Sequence, residues 1–464
     1  MVLLTQEIMM DSSGNSSDGP TTRRGVLRLS GVAIAGSLAG CSGGLSGSTN
    51  NGTSTGTTGT GTNDTGATDS TDSGTADGVP SLKTEYDPRK RFQSPGESFD
   101  AMDDLSVWVT NQGSMEADGK KSFQGNGSAK LVGKGGEHAV IEKSFAPKDL
   151  SGQDISVALR TTTPESIAFF VQLLDADGNA SEHHLRSITM EAPDVGWFRT
   201  CPGTYDADPG FDRSAVTRLR LRVNNATDGK AVAWVDDVRT HAKPETGYVI
   251  FSWDDGKRSY YRNAAPLHDR YGFPAVLTQP PHPSDAASKL FMSPKQFRER
   301  QEKGDEVAAH GSVQNPFGQV SKKKLDGILQ KNKQWLIDNG IHGADFVVYP
   351  GNNYDATAMD VVGNYHYMGG MNQSGSVNTT GAHGFDPLAL PRTIGHDVSI
   401  AKRLVDQVAA NRNVGILNFH DFGSDNTMNV TQYESLLKHV DATSGVKVIT
   451  FSDLWEMRKA GHDK

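Results

Sequence analysis

The chain has 464 residues, with 46 Lys+Arg against 55 Asp+Glu, a formal net charge of −9 and only 35% apolar residues. With an acidic balance and no Lys/Arg cluster to neutralise phosphates, nonspecific nucleic-acid binding is disfavoured. The low apolar share traces to a Gly/Ser/Thr-rich stretch near the N-terminus, and the roughly 384 residues after Pro80 are long enough for two domains of about 100–200 residues each.

Taken in chain order, the first signals are Thr22-Arg23-Arg24-Gly25-Val26-Leu27, a weakly apolar run from Gly31 to Ala39, and Leu38-Ala39-Gly40-Cys41. This leader, residues 1–41, resembles a twin-arginine export signal ending in a lipobox. The resemblance implies cleavage before Cys41, a lipid on its sulfur, and a protein held at the outer cell surface through that lipid alone. The apolar run itself is too short to span a bilayer. Ser42–Pro80 is almost entirely Ser, Thr, Gly, Asn and Asp, with nothing to offset the entropy of ordering it, so a disordered linker is expected over residues 42–90. With Cys41 lipidated, only Cys201 remains and no internal disulfide can form. Cys201 sits in the strand-like run Phe198–Pro202, where a buried thiol is expected rather than a nucleophile.

Residues 91–242 alternate apolar and polar positions in short runs: Ser106–Thr110, Ser128–Val132, Ala139–Phe145, Ile155–Thr161, Ile167–Leu174, Trp197–Cys201, Val216–Val223 and Ala231–Val238. Period-two patterning at this spacing predicts an all-β sandwich. Turn chemistry agrees at Asp175-Ala176-Asp177-Gly178-Asn179 and at Asn224–Gly229. The opening Glu97-Ser98-Phe99-Asp100, the run Gly125–Leu131 and the ending Ala233-Trp234-Val235-Asp236-Asp237-Val238 resemble jelly-roll carbohydrate-binding modules. That resemblance implies a glycan partner and a structural calcium held through the Asp pair. In a regular strand Asp236 and Asp237 would face opposite sides, leaving at most one toward the core. The competing reading is a spacer domain with two solvated acids.

Residues 247–464 change to strand, loop, helix, repeated. Strands are expected at Tyr248–Ser252, Ala275–Thr278, Glu306–Ala309, Phe346–Tyr349, Gly415–Phe419 and Lys447–Thr450. Helix starts are marked by Ser293-Pro294, Ser321, Asp397 and Ser452. Such alternation predicts a parallel β/α architecture, barrel or open sheet, in which reactive residues gather at the C-terminal strand ends. There the chain places Trp253-Asp254-Asp255-Gly256, His310, Tyr349-Pro350-Gly351-Asn352 and His420-Asp421. The set suits metal-assisted hydrolysis: of two diverging carboxylates, one can ligate a metal while the other takes a proton from water. A histidine from a second strand end would add a ligand, and His420, from the opposite side of the mouth, could protonate a leaving group.

At these residues the chain resembles the polysaccharide deacetylases of the NodB-homology type, a carbohydrate esterase family. Phe251-Ser252-Trp253-Asp254-Asp255-Gly256 is similar to their first motif, Gly304–His310 to the run into their second, and Gly415–Asp421 to their last. The resemblance implies a distorted (β/α) barrel that hydrolyses N- or O-acetyl groups of polysaccharides with a divalent metal, usually zinc, with cobalt, manganese or nickel as alternatives. Position by position it makes Asp254 the general base, Asp255 and His310 metal ligands, and His420 the general acid. Trp253, Tyr349 and Pro350 are the expected substrate-binding residues, with backbone N–H groups near Tyr349 holding the oxyanion.

Two departures stand out. The second motif normally ends in a further histidine four residues after the first, and here that position is Gln314, a poorer zinc ligand. An Arg that normally precedes the Pro-Tyr turn is absent from Val348-Tyr349-Pro350-Gly351, and Arg392 in Leu390-Pro391-Arg392-Thr393 resembles a downstream Arg of many relatives that steadies the base. His366, His383 and His396 are further candidates for the missing ligand. The expected protein is an extracellular, lipid-anchored, metal-dependent deacetylase behind a sandwich domain. The alternative is a non-catalytic glycan-binding surface lipoprotein whose deacetylase domain is degenerate.

Overall fold

The computed structural model describes residues 80–85, 96–134, 138–162, 167–186, 194–225, 229–370, 372–374, 376–422 and 427–462. The leader of residues 1–41 with Cys41, and the linker of 42–90 apart from 80–85, lie outside the described residues. Among the described residues no helix is long and apolar enough to cross a membrane.

Residues 97–242 form two six-stranded antiparallel sheets. The first runs, in spatial order, Ser114–Asp118, Ser128–Gly133, Ala231–Ala242, Gln153–Thr161 and Phe198–Thr200, with Glu97–Asp100 also on Ala231–Ala242. The second runs Thr204–Ala207, Ala180–Arg186, Ile167–Asp175, Val216–Asn225, Ala139–Lys148 and Val109–Gln112. The alternation explains the arrangement. Ile167, Phe169, Val171 and Leu173 of one sheet, and Leu131, Val157, Leu159 and Val235 of the other, are at most 2% exposed and share one core.

Two local expectations are corrected. Ser106–Thr110 is not one strand: the Asp104 carboxylate accepts from Ser106 N at 2.9 Å and turns Leu105–Val107 into a 3-10 helix before the strand at Val109. Ala180–Arg186, outside the expected runs, is a further strand that carries Glu182 and His184 on one face. Asp236 and Asp237 do not point to opposite sides. A register shift lies between Asp236 and Arg239, Asp237 adopts φ 41°, and both side chains are buried. Asp236 accepts from Phe123 N at 2.7 Å and Gln124 N at 3.1 Å, while Asp237 is bonded to Arg199 and, at 2.9 Å, to Arg239. These carboxylates are committed to amides and guanidinium groups, which removes the expected calcium site.

The second half is built from strands β1 (Gly247–Trp253), β2 (Val276–Thr278), β3 (Glu306–Ala308), β4 (Phe346–Val347), β5 (Met368–Gly369), β6 (Asn372–Ser374), β7 (Thr379–Thr380), β8 (Pro391–Ile394), β9 (Val414–Phe419) and β10 (Val446–Val448). Around them pack α1 (Ala265–Tyr271), α2 (Pro294–Gln301), α3 (Lys322–Asp338), α4 (Ala356–Val362), α5 (Val398–Asn411), α6 (Val430–Ala442) and α7 (Phe451–His462). Eight strands form a sheet in the order β3-β2-β1-β9-β8-β6, with β7 on β9 and β10 on β1. All these pairings are parallel except β7 with β9. The pair β4-β5 meets β3 through the bridge Ala309↔Val347, and meets the approach to β8 through Gly369 N→Pro387 O at 2.8 Å and Leu390 N→Gly369 O at 3.3 Å. Backbone links therefore run round an irregular ring, and β1 and β9 are buried on both faces as parallel strands between helices must be.

The expected caps Ser293, Ser321 and Asp397 each accept from the first turn of their helix. Ser452 does not cap: α7 starts one residue earlier, and Glu306 on β3 accepts from Phe451 N at 2.8 Å and Ser452 N at 3.1 Å in its place.

Sandwich and β/α sheet are joined by backbone. Pro202 forms an antiparallel bridge with Thr380, Gly203 N donates to Thr379 O at 2.9 Å, and Gly381 N donates to Cys201 O at 2.8 Å. Lys243 adds an ion pair with Asp154 and a bond to Asn411 O at 2.8 Å. Cys201 is 1% exposed at this seam, and burial pushes its thiol far up, leaving a core residue.

Candidate active site

β1 delivers the two carboxylates. Its hydrogen-bonding ladder to β9 continues one step past the strand, Asp254 N donating to Phe419 O at 2.8 Å, and then the chain turns sharply through Asp255 at φ 66° and Gly256 at φ 60°. The turn needs Gly256: a Cβ there would lie 2.9 Å from both Pro280 N and Thr278 O. Two successive left-handed residues send the carboxylates apart, Asp254 inward at 3% exposure and Asp255 toward the mouth at 25%.

Asp254 is held from beneath. Nη1 of Arg392, on β8, lies 2.9 Å from each of its oxygens, and Ser252 Oγ stands 3.4 Å from Oδ1. Arg392 is 1% exposed, so the pair is a buried, compensated ion pair. On the open side His420, at the end of β9, places Nε2 3.7 Å from Asp254 Oδ2 with its side chain 37% exposed. His396 packs edge-on to His420 with ring centres 5.9 Å apart, and burial foremost, then the charge of His420, brings its imidazole down to about 4.

Asp255 faces His310, which follows β3. His310 Nδ1–H donates to Val348 O at 2.8 Å, turning Nε2 toward Asp255 Oδ1 at 3.5 Å. Burial alone would raise the Asp255 carboxyl, but the hydrogen bond and charge of His310, then the charge of His420, bring it down to about 2. Burial would lower the His310 imidazole, and Asp255 followed by Asp254 pushes it up instead.

That 3.5 Å separation is long for a hydrogen bond and close to the roughly 3.3 Å between neighbouring ligands of a tetrahedral ion with bonds of about 2.0–2.1 Å. Asp255 and His310 thus fit a divalent cation as two of its ligands. Gln314 does not join them: it is exposed, and its backbone N–H donates to Ser312 Oγ at 3.2 Å. Among the described residues no group of three or more His, Cys, Asp or Glu could hold a metal. His366 is buried against Ala344 O, His383 bonds Met457 O, and His396 belongs to the His420 side of the mouth, so none completes the pair.

The expected substrate-binding residues are corrected. Trp253 is 2% exposed, stacks on Phe419 and donates through Nε1 to Tyr433 Oη at 3.1 Å. Tyr349 is 1% exposed with its hydroxyl on Leu388 O at 3.0 Å, and Pro350 is buried. A strand-end aromatic need not face the mouth, and these three side chains are buried. Two residues that sequence reasoning missed hold the His310 loop: Asn332 of α3 donates to His310 O at 2.6 Å, and Gln279 reaches the same oxygen at 3.4 Å. A polar residue on the buried face of α3 was the one available signal.

Residues 241–370 match the profile of the family described as Polysaccharide deacetylase, a stretch that includes Asp254, Asp255 and His310 and ends before Arg392 and His420. The chain thus carries a polysaccharide deacetylase domain and is a hydrolase of the class that acts on acetyl groups. Solved structures similar to it include a family 4 carbohydrate esterase from Streptomyces lividans in complex with acetate, at 17% identity, 46% of this chain, 95% of that chain and TM-score 0.31. Peptidoglycan deacetylase PdaC from Bacillus subtilis gives 13%, 47% of this chain, 95% of that chain and 0.32. A family 4 acetyl xylan esterase from Clostridium thermocellum in complex with a cobalt ion gives 14%, 45%, 91% and 0.30. No curated protein matches the chain.

Proposed function

We propose that this hydrolase removes N- or O-acetyl groups from a polysaccharide with the help of a divalent metal, zinc foremost, and works outside the cell as a lipid-anchored protein. The observation that carries the catalytic reading is the buried Asp254–Arg392 pair with His420 at 3.7 Å on its open side. The surface location rests on the twin-arginine and Cys41 motifs. The sandwich, with its resemblance to carbohydrate-binding modules, is assigned to the glycan.

In this mechanism Asp255 and His310 would hold the cation, which when bound supplies Lewis acidity to the acetyl carbonyl. Arg392, with Nη1 2.9 Å from each Asp254 oxygen, holds that side chain in place, so that a carboxylate oxygen accepts the proton of the attacking water. His420, partly exposed beside that carboxylate, donates a proton to the departing sugar nitrogen or oxygen. Closely packed aromatic residues, Trp253, Phe419 and Phe422, keep bulk water from the floor of the site.

The test is acetate release from acetylated xylan and from N-acetylated chitooligosaccharides by the wild type and by Asp254→Asn. Loss of turnover with metal content unchanged is expected. Equal acetate release by the variant would end the assignment of Asp254. The degenerate, non-catalytic alternative predicts no release by the wild type.

A further inference from the structure

We propose that the sandwich segment Arg199–Thr204 is a positioning element of the active site, setting Arg392 and through it Asp254, so that the sandwich is part of the catalytic framework as well as a neighbour of it. The inference rests on the catalytic reading of Asp254 given above.

The path is short and continuous. β7 and β8 occupy successive stretches of one edge of β9, at residues 414–415 and 417–418. They meet where Asn378 N donates to Thr393 Oγ1 at 2.9 Å, and Thr393 adjoins Arg392. On the outer side of β7 lies the sandwich segment: Gly203 N→Thr379 O at 2.9 Å, Gly381 N→Cys201 O at 2.8 Å, Thr380 Oγ1→Cys201 O at 3.1 Å and Asp386 N→Arg199 O at 2.8 Å. The sandwich segment is thus the outermost strand beside the sheet edge from which both Arg392 and His420 emerge.

There is no slack along this path. Asn378, Thr379, Thr380, Arg392 and Thr393 are each at most 3% exposed. A Cβ at Gly203 would lie 2.1 Å from Thr379 Oγ1, and one at Gly381 would lie 2.6 Å from Cys201 Sγ. Close-packed interiors pass displacements on rather than absorb them. At the far end a single nitrogen, Nη1, serves both oxygens of Asp254, a geometry that a shift of about 1 Å would break, at a cost of about 100-fold in rate.

The test compares three variants of the whole chain with 4-nitrophenyl acetate, a substrate that needs no glycan. Gly203→Ala pushes on β7 from the sandwich side. Thr393→Val, which keeps volume and removes the acceptor of Asn378 N, cuts the path at its middle and serves if the first variant fails to fold. Lys243→Met weakens the same seam at Asp154 without touching β7. The expected result is a kcat at least 10-fold lower for Gly203→Ala and Thr393→Val with KM little changed, the double variant no worse than the poorer single one, and a Lys243→Met enzyme that melts earlier at unchanged kcat. Crystal structures of the first two variants should show the Arg392–Asp254 contacts lengthened. Unmoved contacts, or a kcat loss in Lys243→Met matching the others, would overturn the inference. A wild type without turnover would overturn the catalytic reading instead, and the crystallographic distances would still decide this one.

Discussion

Nη1 of Arg392 stands 2.9 Å from both Oδ1 and Oδ2 of Asp254, residues 138 positions apart and both almost fully buried. Such a pair is asymmetric in its consequences: intact it is near neutral for stability, but removing one partner strands a buried charge. Arg392→Ala should therefore lower stability by about 3–5 kcal/mol and kcat by about 100-fold or more. Arg392→Lys keeps the charge but loses the planar guanidinium, so it should recover much of the stability and little of the rate. Urea denaturation and acetate release, measured on both variants, check the two halves separately. Wild-type kcat in Arg392→Ala would remove the arginine from the mechanism.

Asp255 and His310, as the proposed metal ligands, lead to an expectation about metal affinity. Gln314 is exposed and makes no contact with Asp255 or His310 among those observed, so Gln314→Ala should leave metal affinity within about 2-fold of the wild type. Asp255→Ala and His310→Ala should each lower it at least 10-fold, as expected for loss of a ligand. Isothermal titration with zinc on chelator-stripped protein reads all three. A 10-fold loss in Gln314→Ala would mean that the loop after His310 closes on the ion when it binds.

Strand ends made most of this site legible. Asp254, Asp255, His310 and His420 each follow an apolar run directly, and chain pattern alone places such residues at one mouth. Arg392 is different: it lies within a strand after an irregular stretch, and only a resemblance singled it out. Asn332 and Gln279 act on the backbone oxygen of His310 from other elements, a contact that no local pattern encodes. Trp253 was misplaced because residue order does not tell which way the last side chain of a strand faces. Asp237 was misplaced because a bulge reversed the alternation that a regular strand would have kept.

Trp253 itself gives a clean separation of packing from substrate contact. Its ring lies among Tyr260, Phe419, Phe422 and Tyr433, with centroids 5.0–5.3 Å away. Trp253→Phe leaves a partial cavity and removes one of the two partners of the Tyr433 hydroxyl, which keeps His268 Nε2 at 2.7 Å, and should cost about 1–3 kcal/mol. Because the side chain is 2% exposed, KM for a polysaccharide should stay within about 2-fold. A large rise in KM at unchanged melting temperature would return Trp253 to the sugar-binding surface.

The last expectation concerns pH and a carboxyl at the start of β3. Glu306, 8% exposed, caps α7 by accepting from Phe451 N and Ser452 N, yet burial outweighs these bonds and pushes its carboxyl up to about 7. A carboxyl whose folded value is raised binds its proton more tightly in the native state than in the unfolded one. Its contribution is therefore fully present below the ordinary value of 4.5 and is lost as pH rises through about 7. The change is on the order of 3 kcal/mol at 1.36 kcal/mol per unit. Glu306→Gln keeps the shape and an acceptor oxygen but stays neutral, so it should flatten this part of the stability curve. The urea midpoint of the variant should match the wild type near pH 4.5 and exceed it at pH 8. A variant weaker than the wild type at pH 8 would mean that the amides of α7 hold Glu306 ionised and that its charge, rather than its neutral form, secures the helix.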